Sequence, residues 1–217
     1  MKPFAFLSDF DGTLSERDFY HLMIDKFFPE WGHQFYTDWK KTKKIDVEFL
    51  NTIFGRLNLT EDQLLEEIRN IPLTPGAIDF IHEVQAHGGD FFIVSAGTSW
   101  YIERLMKALG LPNVTVISMP AVHENGVLRI VPDTANPFYS EIFGLDKRKV
   151  LEDIRQRYRT VLFAGDSEPD LEAGKAADIV FARGELRELL TQAGVRHVPV
   201  DDYHAISSYL KEKGWPE

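Results

Sequence analysis

The sequence contains no cysteine among its 217 residues. Disulfide bonds, thiolate metal sites and a cysteine nucleophile are therefore excluded. Long hydrophobic runs are also missing, since no segment approaches the roughly 18 to 20 apolar residues that span a bilayer. The first apolar run is interrupted by Asp9 after a few residues, which is too short for a signal peptide. We expect a cytoplasmic protein without a membrane partner.

Positive charge is scarce in this chain. Lysine and arginine number 24 against 34 aspartates and glutamates, which leaves a formal net charge of −10. An acidic balance of this kind argues against nucleic acids and anionic membranes as partners. If the substrate is a small anion, a bound metal cation is the simplest device that would attract it.

Short apolar runs recur along the chain with helical segments between them. Their lengths suit strands that are buried on both faces, as in a parallel sheet. The runs occupy residues 4–8, 90–95, 160–165, 178–182 and, more weakly, 196–200. Strands that alternate with helices predict an α/β fold with a doubly wound parallel sheet. We expect Thr74 to be the N-cap of the helix that follows it.

Two segments break this alternation. Residues 15–73 are too long for a single crossover and have the pattern of several helices. We predict that they form a helical cap domain inserted after the first strand, with residues 1–14 and 74–217 as the core domain. The second segment surrounds Asn125-Gly126, a dipeptide typical of a β-hairpin turn.

Charged and polar side chains follow or flank the predicted strands at their carboxyl ends, where open α/β sheets bind ligands. Because these ends share one edge of the sheet, we expect the side chains to lie together. They are Asp9, Asp11, Ser95, Lys147, Asp166 and Asp170. Clustered carboxylates repel one another, and a hard divalent cation, Mg²⁺, would hold them together. The predicted metal ligands are Asp9, Asp11, Asp166 and Asp170.

This cluster suits the transfer of a phosphoryl group. Asp9 is placed to attack phosphorus and form an aspartyl-phosphate. Asp11, two residues further along the same edge, can protonate the leaving alkoxide and later deprotonate water. Lys147 would supply positive charge to the phosphoryl group and the nucleophile. Lys149 is the alternative for this role. The spacing of Lys147 to the apolar residues that follow favours Lys147.

Other residues are predicted to bind the substrate. Ser95 and the backbone N–H groups near Gly97 can donate hydrogen bonds to the phosphoryl oxygens. Gly12 allows a tight turn beneath the phosphate, and Thr13 can orient the second aspartate. Arg183 follows a strand end and either reaches the substrate or lies on the surface. The set predicted on these grounds is Gly12, Thr13, Ala96, Gly97 and Arg183.

The ordered segments resemble the four motifs of the haloacid dehalogenase superfamily. The motifs are DFDGT from residue 9, VSAG around Ser95, DKRKVL around Lys147, and GDSEPD over residues 165–170. The resemblance implies a Mg²⁺-dependent phosphatase with that superfamily's α/β core. The insertion is similar to the small cap of the phosphoserine phosphatase-like group, which carries an acidic substrate-contacting residue at the position of Asp18.

Two later segments carry a closer resemblance. VFARGELRELL (180–190) and VPVDDYHAI (198–206) are similar to bacterial methionine-salvage phosphatases, which act on 2-hydroxy-3-keto-5-methylthiopentenyl-1-phosphate. Some members of that group carry a cysteine-rich loop before the third motif, whereas NPFYSEIFGLDK (136–147) contains no cysteine. The resemblance therefore specifies the reaction more closely than the substrate.

Several alternatives stay open at this point. The protein could be a phosphoserine- or phosphocholine-type phosphatase, a phosphomutase of the same superfamily, or a non-enzymatic phospho-switch of the receiver kind. The large insertion argues against a receiver, which carries no cap. We expect a small-molecule phosphate ester as the partner, bound by a monomer or a homodimer.

The insertion is rich in aromatic residues, which we expect to form its own core. An apolar pocket for a methylthio group is the alternative. The residues are Phe27, Phe28, Trp31, Phe35, Tyr36 and Trp39. The seven histidines of the chain show no metal-ligand spacing, and we interpret them as surface or half-buried structural residues.

Overall fold

The computed structural model describes residues 1–42 and 47–217 of the chain. The described strands are β1 (Lys2–Ser8), β2 (Asp90–Thr98), β3 (Thr115–Met119), β4 (Ala121–Glu124), β5 (Val127–Ile130), β6 (Tyr139–Ser140), β7 (Gly144–Leu145), β8 (Tyr158–Gly165), β9 (Ile179–Ala182) and β10 (Val198–Pro199). The described helices are α1 (Phe19–Phe27), α2 (Pro29–Thr42), α3 (Val47–Gly55), α4 (Glu61–Arg69), α5 (Ala77–Ala86), α6 (Ser99–Ala108), α7 (Lys147–Arg155), α8 (Leu171–Ala176), α9 (Leu186–Gln192) and α10 (Tyr203–Lys213). None of these helices combines the length and apolar character that a bilayer crossing requires.

The main sheet is parallel and has β1 among its inner strands. Within the described ranges it contains six strands in the order β10-β9-β8-β1-β2-β3. Ser8 at the end of β1 is in register with Ala164 of β8 on one side and Ile93 of β2 on the other. The predicted doubly wound parallel sheet is confirmed. Its parallel pairing brings the carboxyl ends of β1, β2 and β8 to one edge.

Successive residues of β1 point into different layers of the core. Phe6 packs into the layer that includes α5, where its ring centroid lies 4.7 Å from that of Phe80. Leu7 packs into the layer that includes Val150 of α7. Burial on both faces explains why this strand is apolar without alternation. Fully burying one such side chain contributes about 1.5–3 kcal/mol to the stability of the fold.

The prediction that Thr74 caps the next helix is wrong. Helix α5 begins at Ala77, and its N-cap is Gly76 in the left-handed region with φ of 78°. The Thr74 hydroxyl instead donates a hydrogen bond to the Thr13 carbonyl oxygen at 2.7 Å. Thr74 therefore links two segments by this hydrogen bond: the segment that leaves the helical insertion and the turn that follows β1.

Helices α1 to α4 occupy the segment predicted as a cap. The chain enters and leaves this segment side by side, because Ser15 and Leu73 form an antiparallel bridge. These are the positions at which the predicted domain boundary lies. Residues 43–46 of the predicted cap lie outside the described residues.

The predicted hairpin is present and packs against the helical insertion. Its turn residues Asn125 and Gly126 have φ of 52° and 82°, the left-handed values that this dipeptide favours. The Asn51 side chain of α3 donates to the Ile130 carbonyl oxygen at 3.1 Å and accepts from the Ile130 N–H at 2.7 Å. Two hydrogen bonds between the Asn51 side chain and the β5 backbone thus hold the hairpin against the helical insertion.

Candidate active site

A tight turn at the end of β1 holds the first motif. The Asp9 N–H donates to the Ala164 carbonyl oxygen at 2.9 Å, which extends the pairing with β8 by one residue. Gly12 then adopts φ of 79°, a conformation that costs glycine little. A Cβ atom at Gly12 would lie 2.6 Å from Asp166 Oδ2. Glycine is therefore required here for the backbone conformation and for the close approach of Asp166.

Lys147, at the first position of α7, carries the positive charge of the site. Its side chain is buried, and Nζ lies 2.7 Å from Asp9 Oδ1 and 2.6 Å from Asp170 Oδ1. Burial alone would lower the pKa of Lys147, but the carboxylates of Asp170 and Asp9 raise it above its usual value. Lys149, the alternative lysine, is exposed and lies 3.6 Å from Asp146. The structure therefore places Lys147, rather than Lys149, against the predicted nucleophile.

Three carboxylates converge beside Lys147. One oxygen from each of Asp9, Asp166 and Asp170 lies within 4.8 Å of the other two. Burial and the charge of Asp170 raise the pKa of Asp9 well above its usual value. The same two causes raise the pKa of Asp166 to about 7. Removing these groups from water and crowding like charges both disfavour the ionised forms.

The donor set of this cluster fits a hard divalent cation. The three carboxylates offer oxygen ligands, which Mg²⁺ prefers. Asp170 Oδ2 accepts hydrogen bonds from the Asp166 and Ser167 N–H groups at 2.9 and 3.1 Å. The Thr13 hydroxyl donates to Asp166 Oδ1 at 2.8 Å. These hydrogen bonds orient the Asp166 and Asp170 carboxylates, and the three residues whose oxygens converge, Asp9, Asp166 and Asp170, are the ones that would hold the ion.

Asp11 lies beside this cluster, with both carboxylate oxygens engaged elsewhere. Oδ1 accepts a hydrogen bond from the Phe19 N–H at 2.8 Å, and Oδ2 accepts one from the Tyr101 hydroxyl. Burial and the nearby charge of Asp18 raise the pKa of Asp11 to about 7. Thr13, which was expected to orient Asp11, donates to Asp166 instead. The Asp11 carboxylate is not part of the metal-ligating group found among the described residues.

The end of β2 contributes the second motif. Ser95 is buried, and its hydroxyl oxygen accepts a hydrogen bond from the Gly97 N–H at 3.0 Å. Ser95, Ala96 and Gly97 all line the cleft above Asp9. The structure thus brings the predicted phosphate-binding hydroxyl and backbone together at the edge where β1 ends.

Arg183 supports the turn that follows β1 through hydrogen bonds. Its guanidinium donates to the Thr13 carbonyl oxygen at 2.8 Å and to the Thr74 hydroxyl at 2.7 Å. Within the described residues, Arg183 is absent from the cleft lining, as are Gly12 and Thr13, whereas Asp18 is part of it. The geometry therefore gives Arg183 a position that supports the Asp9–Thr13 turn rather than one that faces a ligand.

A cleft of about 790 Å³ lies over the carboxylates. Its volume falls within the range of small-molecule sites, roughly 300–1,000 Å³. The polar floor is formed by Asp9, Asp11, Ser95, Lys147 and Asp166. The helical insertion contributes the polar residues Asp18, His21 and Lys40 and a set of apolar and aromatic residues, which we call the apolar wall: Tyr20, Tyr36, Trp39, Phe49, Leu50 and Phe54.

Sequence reasoning missed several residues of this cleft. Tyr101 in α6 contacts Asp11, and His21 lines the cleft with its ring 4.4 Å from the Tyr20 ring. Of the aromatic residues expected in the core of the insertion, Tyr36 and Trp39 reach the cleft. Neither motif nor spacing pointed to Tyr101 or His21, because both reach the site only through helix packing.

Comparison with known proteins identifies relatives over nearly the whole chain. The model of haloacid dehalogenase-like hydrolases matches residues 6–175. A protein from an Exiguobacterium species, named 2-hydroxy-3-keto-5-methylthiopentenyl-1-phosphate phosphatase, is 28% identical over 208 residues, covering 94% of this chain and 96% of the relative. A protein of the same name from Bacillus velezensis is 27% identical over 213 residues, covering 96% and 90%.

Solved structures share the fold. A phosphoserine phosphatase described as a phospho-aspartyl intermediate analogue aligns with a TM-score of 0.70 at 19% identity, covering 96% of this chain and 98% of the other. Because the family match covers residues 6–175, it includes all four motifs. The chain therefore belongs to the haloacid dehalogenase-like hydrolase family.

Proposed function

We propose that this protein is a Mg²⁺-dependent phosphomonoesterase that hydrolyses 2-hydroxy-3-keto-5-methylthiopentenyl-1-phosphate in the cytoplasm. The observation that carries the proposal is the lining of one cleft by both the reacting groups Asp9 and Lys147 and the apolar wall. The substrate named for the two relatives carries the corresponding groups, a phosphate and a methylthio group.

The proposed reaction begins with Asp9. Its carboxylate attacks phosphorus, the bond to the ester oxygen breaks, and an aspartyl-phosphate forms. Protonated Asp11 transfers its proton to the departing oxygen, which leaves as an alcohol or enol. Water then attacks the aspartyl-phosphate and gives a proton to the Asp11 carboxylate. Orthophosphate leaves, and both aspartates return to their starting states.

The surrounding groups stabilise the charge that moves in these steps. Lys147 favours the ionised form of Asp9, against the burial and the charge of Asp170 that raise its pKa, and it would supply positive charge to the phosphoryl oxygens. The Ser95 hydroxyl, whose oxygen accepts from the Gly97 N–H, would donate its own proton in a hydrogen bond to the phosphoryl group. A Mg²⁺ ion held by Asp9, Asp166 and Asp170 would supply positive charge that reduces the repulsion between carboxylate and phosphate.

We also infer that α1 to α4 act as a cap over this site. The apolar wall comes from α1, α2 and α3, whereas the reacting aspartate and lysine come from the sheet edge and α7. The paired chain at Ser15 and Leu73 is the connection about which the two parts would move. Such a movement would admit the substrate and then exclude water.

Release of orthophosphate from defined esters tests the proposal. Purified protein with Mg²⁺ is incubated with 2-hydroxy-3-keto-5-methylthiopentenyl-1-phosphate, phosphoserine or phosphocholine. We expect kcat/KM to be at least about tenfold higher for the methylthio ester, because only its tail can bury apolar surface against the wall. EDTA should abolish release and added Mg²⁺ should restore it. Lack of orthophosphate from every ester, or full activity in EDTA, contradicts the proposal.

Leu50 on α3 tests the role of the apolar wall. Leu50→Asn should lower kcat/KM for 5-(methylthio)pentyl phosphate about tenfold, since contact with one leucine contributes on the order of 1.5 kcal/mol. Ethyl phosphate, which lacks the methylthio tail, should be hydrolysed at the wild-type rate. Leu65→Asn is the matched control, because Leu65 is also half-buried but lies outside the cleft lining. Equal losses for both esters would remove Leu50 from tail recognition.

A further inference from the structure

We propose that Tyr101 is the positioning residue for Asp11, holding the carboxyl group in the orientation in which it passes its proton to the leaving oxygen. The inference rests on the proposed function. Tyr101 lies 90 residues from Asp11 in the chain, and its hydroxyl donates a hydrogen bond to Asp11 Oδ2. No sequence motif contains Tyr101.

The Tyr101 ring is held on several sides. It is only 1% exposed, and its centroid lies 4.8 Å from that of Phe19 and 5.8 Å from that of Phe10. Phe54 of α3 packs edge-on at 6.4 Å. A ring packed in this way has little freedom to turn, so the hydroxyl occupies one place. A donor of this kind orients its acceptor at little additional cost in conformational entropy.

The second motif leaves room for this contact. A Cβ atom at Gly97 would collide with the Tyr101 hydroxyl and would lie 2.9 Å from Asp11 Oδ2. Gly97 has ordinary backbone geometry, since it is absent from the glycines with positive φ. Glycine at this position is therefore explained by the Tyr101–Asp11 contact rather than by backbone conformation.

The two hydrogen bonds to Asp11 together define the plane of its carboxyl group. The Phe19 N–H at the start of α1 binds Oδ1, and the Tyr101 hydroxyl binds Oδ2. When the ester bond breaks, the acidic proton of Asp11 moves to the leaving oxygen and the carboxylate keeps both donors. Tyr101 retains its own proton throughout, so it acts through Asp11 and touches neither phosphorus nor the leaving group.

Leaving-group dependence separates this role from a structural one. Phenyl phosphate releases a basic phenolate that needs the proton, whereas p-nitrophenyl phosphate releases a weakly basic one that does not. We expect Tyr101→Phe to lower kcat/KM at least about tenfold for phenyl phosphate and less than about threefold for p-nitrophenyl phosphate. The parameter kcat/KM reports the steps through ester cleavage, so later hydrolysis of the aspartyl-phosphate does not enter.

Two further variants complete the experiment. Tyr158→Phe is the matched control, because the Tyr158 hydroxyl also donates to a carboxylate, Asp90, which belongs to the opposite end of β2. It should leave both esters unaffected. Adding Tyr101→Phe to Asp11→Asn should lower kcat/KM for phenyl phosphate less than about twofold further, because the residue through which Tyr101 acts is already lost.

Each remaining outcome overturns the inference. Equal losses for the two esters, or no loss for either, exclude a positioning role, as does a full additional loss in the double variant. Thermal unfolding monitors the fold, and Tyr101→Met, which keeps apolar bulk, must show the same selectivity if Tyr101→Phe does not fold. If the wild-type protein hydrolyses neither ester nor any metabolite, the proposed function itself has failed; a working wild type with a non-selective Tyr101→Phe refutes only the role of Tyr101.

Discussion

Asp9→Asn is expected to lower kcat by at least about 10⁴-fold, equivalent to roughly 5.4 kcal/mol of activation free energy. An amide cannot take the place of the carboxylate that attacks phosphorus. The fold should persist, because an asparagine oxygen can still accept the hydrogen bond that the Phe10 N–H donates to Asp9 Oδ1 at 2.7 Å, and the buried Lys147 keeps its other partner, Asp170, at 2.6 Å. The loss should therefore appear in turnover and not in the unfolding temperature.

Phosphate release and thermal unfolding measure the two parts of this expectation. Asp153→Asn is the control, because Asp153 is exposed and its ion-pair partner Arg157 lies far from the first motif in the chain. Acid quenching of the wild-type reaction should also trap one phosphoryl group on the peptide that contains Asp9. Activity of Asp9→Asn within about tenfold of wild type would remove Asp9 from the nucleophile role.

Lys147→Met should have the second largest effect, and it should act on both rate and stability. Methionine retains the apolar part of the lysine stem but removes the charge from a site that is 2% exposed. Asp9 and Asp170 then lose their shared partner. Removing one member of a buried ion pair typically costs about 3–5 kcal/mol of folding free energy. We expect kcat to fall about 10²- to 10³-fold, as for the loss of other groups that stabilise a developing charge.

Denaturant unfolding and phosphate release check this prediction. Lys149→Met is the matched control, because Lys149 lies two residues away, is exposed and contacts only Asp146 among the ion pairs of the described residues. Mg²⁺ should recover part of the lost unfolding free energy of Lys147→Met, since ligand that binds the folded state stabilises it. A Lys147→Met protein as stable and active as Lys149→Met would show that Lys147 does not neutralise the cluster.

The central strands, and more weakly the edge strand β10, were predictable from sequence, but the other edge strand, β3, was not. β1 and β8 are buried on both faces, so each presents a continuous apolar run. β3, residues Thr115–Met119, has an exposed first residue and three half-buried ones. Such a segment resembles a loop when its neighbours are unknown, because an edge strand has only one pairing partner and less contact with the core.

The helical insertion was also predictable from sequence only in part. Its helices were expected from their apolar periodicity, and aromatic residues such as Tyr36 and Trp39 were expected to form its core. Both do pack against that core, where the Trp39 ring centroid lies 4.2 Å from that of Phe49, and both also line the cleft. Periodicity indicates that a helix has an apolar face, but it does not indicate whether that face meets another helix or a ligand cavity.

The chemical groups at the strand ends could be identified from local sequence, since Asp9, Asp11, Ser95 and Asp166 each follow a local apolar pattern. Their hydrogen-bond partners, in contrast, depend on the folded arrangement. The Thr13 hydroxyl donates a hydrogen bond to Asp166 rather than to Asp11, and Arg183 donates one to the Thr13 carbonyl oxygen. The Tyr101 hydroxyl donates to Asp11, which is 90 residues away in the chain. The physical reason is that strand and helix periodicity are local properties, whereas a hydrogen-bond partner is selected by the packing of elements that are distant in sequence.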